Sequence, residues 1–330
     1  MLSFYFFNVG HGDSIAINFP DNTWGIIDCN RNINEKEPQV LKFLKRKNVK
    51  TLRFICITHP HSDHYKGIDI IVENYKNNID KFILYGLTNN DKERDVSKSL
   101  GKAITLFAEL NKRQLDKKFI LIERNQTYSI GEVEMLCLNP SPKTLNSFRK
   151  KQILPSTNIE YNDVSIVLKM VYKNRTILLS GDASIKNWEE IFNEKDKYIS
   201  DLIKISHHGS KENNPKQVLK KTLKEGSISV ISTDGGIRYS NVPSTEVIST
   251  IESLCKTCVI KTSDLSVNKV HDLNFKDIND LDIVEAVIEA TTEEYESTQY
   301  EGLIQISIDD AGNMLENKYL TLDDYFKLIN

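Results

Sequence analysis

The sequence predicts an α/β protein built as a four-layer αββα sandwich with an acidic C-terminal extension. Three observations carry that expectation. The first 30 residues are short apolar runs cut by Gly, Pro and Asn, the pattern of an antiparallel meander. The run "TLRFICIT" (51–58) is nearly continuous in apolar residues, as in a strand buried on both faces. Beyond residue 180, strand-like and helix-like stretches alternate. Two sheets face to face, with helices on both outer sides, accommodate all three patterns.

The elements follow in order. "SFYFFNV", "DSIAINF" and "WGIIDC" read as strands separated by "GHGD" and "PDN". "EKEPQVLKFLKRKN" has helical spacing at Val40, Leu41 and Leu44. After "TLRFICIT", residues 67–118 alternate helix-like stretches with the strand "DKFILYGL". "KFILIE", "TYSIGEVEMLCLNP" and "DVSIVLKMVYKNRTILLSGDAS" are strand-like again, with "KNR" as a hairpin tip. Helices around 186–193, 214–224 and 244–256 then alternate with "LIKIS", "SISVIST" and "CVIKTS". The body is assigned to residues 1–262. Residues 263–330 form an acidic segment. Its stripe Ile278, Leu281, Val284, Val287 and Ile288 predicts a helix, and "GLIQISIDDAGN" a closing strand and turn.

Composition limits the classes available. Of 330 residues, 39% are hydrophobic and 27% charged, the balance of a soluble globular chain. No apolar run is long enough to cross a membrane. The opening lacks a basic leader and a small-residue cleavage site, so it reads as a first strand. Five scattered cysteines predict reduced thiols and a cytoplasmic location. Cys255 and Cys258 make a CxxC, but inside a helix-like stretch with no second pair. Residues 263–330 hold 16 acidic and 4 basic residues, which leaves 30 acidic and 39 basic in residues 1–262. The two parts therefore carry −12 and +9. A basic body suits a polyanionic partner, although "KFLKRKNVK", "FRKK" and "KQVLKKTLK" read equally as solvated helix faces. The acidic segment reads as a cap on the sandwich, a cover over the basic face, or a docking site for a protein partner.

The chemistry concentrates at strand ends. "THPHSDHYKG" (58–67) places His59, His61, Asp63 and His64 immediately after the apolar strand. Imidazole nitrogens and carboxylate oxygens are the donors that zinc or manganese prefers. "TILLSGDAS" sets Asp182 just past another strand, and "LIKISHHGS" sets His207 and His208 past a third. Five of the seven histidines therefore lie where the ligand sites of α/β sheets form.

HxHxDH followed by SGD resembles the metallo-β-lactamase fold of binuclear metallohydrolases. A closer likeness is to the hydrolase domain of the bacterial competence (DNA-uptake) channel and its stand-alone soluble relatives. "FNVGHGDS", "GIIDC", "THPHSDHYKG", "YNDVSIVLKM", "LLSGDA", "IKISHHGS" and "YSNVPSTEVI" match in the family's order across residues 3–262. The resemblance implies two divalent metal ions, zinc or manganese. His59 and His61 would hold one and Asp63 and His64 the other. Asp182 would bridge them, His207 would complete a shell, and His208 would stand behind the ligands or donate a proton. Asp13 and Asp28 match positions beneath the site that orient loops and histidine N–H groups. Tyr239 stands where it meets either substrate or packing.

The chain departs from the family pattern in places. No histidine lies between 64 and 207, so the ligand that usually precedes the bridging aspartate is absent; Asn162, Asp163 or Ser165 border the gap. Val242-Pro243 replaces a His-Pro, and His11 stands where the family often has Gln. His271 in the acidic segment reads as a surface residue. The implied reaction is hydrolysis by a metal-activated water, with Asp63 orienting it and His208 protonating the leaving group. A phosphodiester, nucleic acid ahead of small nucleotides, is the expected substrate. A small-molecule esterase or lactonase, a cyclic-nucleotide phosphodiesterase, and a regulatory subunit with a vestigial site are the alternatives.

Overall fold

The protein is described from a computed structural model, which covers all residues except 33–34, 87–97, 154–159, 194–197, 257–258, 266–300, 320 and 330. The expected helix at 278–288, Cys258 and His271 lie outside the described residues.

The first sheet has eight strands: β1 (Leu2–Phe7), β2 (Ile15–Asn18), β3 (Trp24–Ile27), β4 (Leu52–Ile57), β5 (Ile79–Leu84), β6 (Phe119–Leu121), β14 (Leu303–Ile308) and β15 (Met314–Tyr319). Their order is β15-β14-β1-β2-β3-β4-β5-β6. The pairs from β15 to β3 are antiparallel, and those from β3 to β6 are parallel. The second sheet has seven strands: β7 (Thr127–Ile130), β8 (Val133–Asn139), β9 (Val167–Tyr172), β10 (Arg175–Leu179), β11 (Leu202–Lys204), β12 (Ile228–Ile231) and β13 (Ile260–Lys261). They run β13-β12-β11-β10-β9-β8-β7, with β10 to β13 mutually parallel.

Strand alternation builds the layers. In β1, Leu2, Phe4 and Phe6 point into the core between the sheets, while Tyr5 and Phe7 point to the outer helical layer. Both faces of β1 are covered, so its whole length is buried. Helix α1 (Gln39–Arg46) lays the stripe Val40, Leu41, Phe43 and Leu44 on the first sheet and turns its basic residues outward. The outer cluster also takes in side chains of α3 (Ile68–Tyr75) and α4 (Lys98–Leu110). On the far side, α7 (Ile185–Phe192), α8 (Lys216–Thr222) and α9 (Thr245–Cys255) cover the second sheet. The αββα sandwich is therefore present.

Two local expectations resolve in detail. The β9–β10 hairpin turns at Lys173 and Asn174, both at positive φ (48° and 62°), the two-residue geometry that follows strand twist. "GLIQISI" forms β14, and all six of its residues pair with β1. The chain then adds β15 and a final helix, Leu322–Ile329, whose Tyr325 and Phe326 pack on Phe43. The last 28 residues thus complete the first sheet. Cys29, Cys56, Cys137 and Cys255 are buried free thiols. Among the described residues no helix is long and apolar enough to cross a membrane.

Candidate metal centre

The parallel strands of both sheets end at the same rim, and each end delivers a chemical group. β3 is followed by Asp28, β4 by Thr58 and His59, β10 by Asp182, β11 by His207 and His208, and β12 by Ser232. The loop between β1 and β2 adds His11 and Asp13. It is pinned by the Asp13 N–H donating to the Asp63 carbonyl at 3.1 Å. Gly12 makes that approach possible. A Cβ there would lie 2.3 Å from the Asp63 carbonyl oxygen, and its φ of +126° is closed to other residues. Short helix α2 (Ser62–Tyr65) starts at His61 and carries Asp63 and His64 on its single turn. His207 and His208 sit at positive φ (47° and 53°), a strained turn that sends both rings toward the rim.

His59, His64 and His208 are each held by Nδ1 and present Nε2. His64 Nδ1 is 2.7 Å from Asp28 Oδ2. The same carboxylate accepts from the Thr58 hydroxyl at 2.7 Å, and the Thr58 oxygen lies 3.1 Å from His59 Nδ1. Asp28 thus fixes the tautomers of two histidines, one directly and one through Thr58. His208 Nδ1 donates to the Ser232 carbonyl at 2.9 Å. These bonds leave Nε2 of His59, His64 and His208 facing inward. His61 instead turns Nδ1 to His59 Nε2, 2.9 Å away.

The inward atoms converge on one oxygen. Asp182 Oδ2 lies 3.3 Å from His64 Nε2, 3.3 Å from His208 Nε2, 3.9 Å from His59 Nε2 and 4.0 Å from His207 Nε2. Asp63 Oδ2 lies 3.4 Å from His208 Nε2 and 3.5 Å from His11 Nε2. Donors sharing one tetrahedral cation at 2.0–2.1 Å sit about 3.3 Å apart, so these are ligand spacings. His64 Nε2 and His208 Nε2 are buried and make no well-directed hydrogen bond, only ion-pair contacts with Asp182 and Asp63, which a cation placed between them would replace. The residues therefore fit a pair of divalent cations. His59, His64 and Asp182 would hold one, with His61 beside His59, and His11, Asp63 and His208 stand close enough to hold the other.

The electrostatics match that reading. Burial pulls the His208 ring down, but Asp182 and Asp63 outweigh it and push its pKa up to about 9. His64 is raised likewise by Asp182, Asp28 and Asp63 against its burial. Asp182 is held well below the usual carboxylate range, because His208, His64 and Lys204 outweigh its burial. Burial and His208 drive the His11 pKa down to about 3. Carboxylates dominate the cluster, and it draws positive charge toward itself.

His59, His61, Asp63, His64, Asp182 and His208 are brought together here. His207 stands at the mouth, its side chain 34% exposed, with Nδ1 turned to Asn213 and Ser210. Asp13 and Asp28 lie beneath, fully buried. Tyr239 is outside, its ring centroid 4.7 Å from that of His11. Ser165 borders the gap left by the missing histidine; its hydroxyl accepts the Asp182 N–H at 2.8 Å.

Sequence reasoning missed Lys204. Its Nζ is buried 2.5 Å from Asp13 Oδ2, 2.9 Å from the Gly181 carbonyl and 3.3 Å from Asp182 Oδ1. It occupies one oxygen of Asp182 and leaves Oδ2 for the histidines. The signal was available: a lone lysine inside the apolar run "LIKIS". His11, too, lies inside the cluster, where its glycine-flanked loop gave no sign of it.

This two-sheet sandwich is the metallo-β-lactamase fold, and the chain is a protein of that fold. The model of the metallo-beta-lactamase superfamily matches residues 17–135, which take in His59 to His64. The chain is also similar to ComE operon protein 3 of Bacillus subtilis (strain 168), with 21% identity over 248 residues. That match covers 70% of this chain and 28% of the relative, so the chain spans less than a third of that protein's length. Among solved structures, a diiron β-hydroxylase from Streptomyces venezuelae is 11% identical, covering 78% of this chain and 52% of that one at a TM-score of 0.46. Zn(2+)-bound PqqB from Methylobacterium extorquens is 9% identical, covering 77% and 95%, at 0.45.

Proposed function

We propose that this chain is a phosphodiesterase acting on nucleic acid and using two divalent cations, zinc or manganese. The observation that carries the hydrolytic reading is the convergence of four histidine nitrogens on Asp182 Oδ2, two of them buried and without a well-directed hydrogen bond. The phosphodiester is favoured by the +9 charge of residues 1–262, which suits a polyanion. The resemblance to the competence-channel hydrolase domain points the same way.

The cations would supply Lewis acidity, both to a phosphoryl oxygen and to the attacking water. The chain's residues do the rest. Asp63, the most exposed carboxylate of the cluster, orients the water; His64 and His208 outweigh its burial and hold it well below the usual carboxylate range, so it acts by positioning. Lys204 holds Asp182 in one orientation. The two adjacent histidines divide the work: His208, buried and anchored by Ser232, is a ligand, and His207 at the mouth is the group that meets the leaving oxygen. This ordering is supported by the greater exposure of His207 and differs from the one the sequence suggested.

The test is a substrate panel with each metal and with chelator. Nicking of plasmid or degradation of single strands, lost on chelation and in Asp182→Asn, supports the reading. Turnover of lactones or cyclic nucleotides without nucleic-acid cleavage would overturn it. His208→Ala should lose close to one equivalent of metal by elemental analysis, whereas His207→Ala should keep both and lose turnover.

A further inference from the structure

We infer that the loop 234–243 is a base-binding rim, in which Tyr239 stacks on a nucleobase next to the phosphodiester being cut and Arg238 faces the backbone. This rests on the phosphodiesterase reading above and narrows it to nucleic acid with exposed bases.

Five large hydrophobic side chains are exposed among the described residues: Met1, Leu121, Ile237, Tyr239 and Leu315. Two of the five flank Arg238 in this one loop. Exposed apolar residues scattered singly need no explanation, but a pair beside a candidate active site does. The loop leaves β12 directly after Ser232, the residue that anchors His208. It is also held in shape. The Asp234 carboxylate accepts the N–H groups of Gly236 (2.9 Å), Ile237 (3.2 Å) and Arg238 (3.0 Å), and the Thr233 N–H donates to Thr262 at 2.9 Å. Gly235 and Gly236 take the positive φ values that fold demands. Three residues are therefore presented outward on a fixed support.

A line of rings joins the rim to the cluster. The Tyr239 ring meets His11 edge-on, with centroids 4.7 Å apart, and His11 lies 4.2 Å from His208. Tyr239 is 49% exposed, so part of its ring surface stays open to solvent. The opposite side of the mouth differs. There Tyr161 meets His61 at 5.6 Å but is only partly exposed and packs on Phe148. A half-exposed aromatic ring within one nucleotide's reach of the donors, with the exposed Arg238 lying over it 5.4 Å from the centroid, pairs a π surface with a cation, the chemistry that receives a base and its phosphate. A lactone or a short acyl ester would use neither.

The experiment compares a single-stranded oligonucleotide with the same strand carrying abasic sites around the cleaved step. With the base-bearing strand, Tyr239→Ala should raise KM about ten-fold with little change in kcat and full metal content, and Tyr239→Phe should restore wild-type KM. The gap between wild type and Tyr239→Ala should close on the abasic strand. Equal KM for both proteins on the base-bearing strand would overturn the rim and leave the phosphodiesterase reading standing. Loss of metal or of folding in Tyr239→Ala, with no KM difference between the two strands for wild type, would also overturn it by making Tyr239 a packing residue. No cleavage of either strand by the metal-loaded wild type would remove both readings.

Discussion

Lys204 shows what one residue does to a charged cluster. Three buried aspartates, Asp13, Asp28 and Asp182, and the part-buried Asp63 surround it or its neighbours, and its ammonium lies 2.5 Å from Asp13 and 3.3 Å from Asp182. Removing one partner of a buried pair leaves an uncompensated charge, which costs about 3–5 kcal/mol. Lys204→Met should lose that much stability without metal in chemical denaturation, and added zinc or manganese should raise its melting temperature more than the wild type's. His208 gives the pH dependence. Its pKa is raised from the ordinary 6.5 to about 9. In the metal-free protein its contribution to stability is full below about pH 6.5 and fades as pH rises through 9. A cation must displace the Nε2 proton, so affinity should climb at least about ten-fold per pH unit below about pH 9, with the His64 proton adding to the slope, and then level off. Competition with a chelating dye across that range would read this directly, and a flat profile would count against His208 as a ligand.

Elements matter here by how closely they approach. The β1–β2 loop reaches the cluster only because Gly12 has no side chain where Asp63 and Asn30 press against it. Gly12→Ala combines that clash with a forbidden φ, and should cost about 4 kcal/mol or more. Metal capture should fall with it, since the Asp13 N–H bond to the Asp63 carbonyl is part of the same contact. A folded variant with normal metal content would show that the loop is not needed to shape the site. The strained turn at Ser206–Gly209 makes a similar point. Two successive non-glycine residues at positive φ persist because Asn214 bonds the carbonyls of Ser206 and Ser210 at 2.8 Å each, and Ser232 holds His208.

At the scale of the whole molecule, the two chain ends are interdependent. β14 supplies an antiparallel partner along all of β1, and Tyr325 joins Tyr5 and Phe43 in one aromatic cluster. Cutting the chain to residues 1–262 should therefore expose the β1 edge and its apolar faces. Such a fragment is expected to aggregate or to melt far below the full chain in circular dichroism. A soluble fragment with native melting would make residues 263–330 an independent appendage.

Legibility from the sequence varied with how local the signal was. The αββα class, the hairpin tip at Lys173 and the helix stripe of α1 were readable because periodicity and turn chemistry are written in neighbouring residues. The donor types were readable too: His59, His61, Asp63 and His64 crowd one stretch, and Asp182 and His208 follow apolar strands. The different settings of His207 and His208 were not, because they depend on φ values and on partners at Ser232 and Asn213, 24 and 6 residues away. The place of His11 in the cluster was hidden for the same reason, and the lone lysine of "LIKIS" did not by itself say which carboxylates it meets. The sequence alone determined which strands end in histidines and aspartates, since hydrophobic pattern and residue type are local. Only the tertiary structure decided which nitrogen of each histidine faces inward and which lysine balances the carboxylates, since both depend on contacts between residues far apart in the chain.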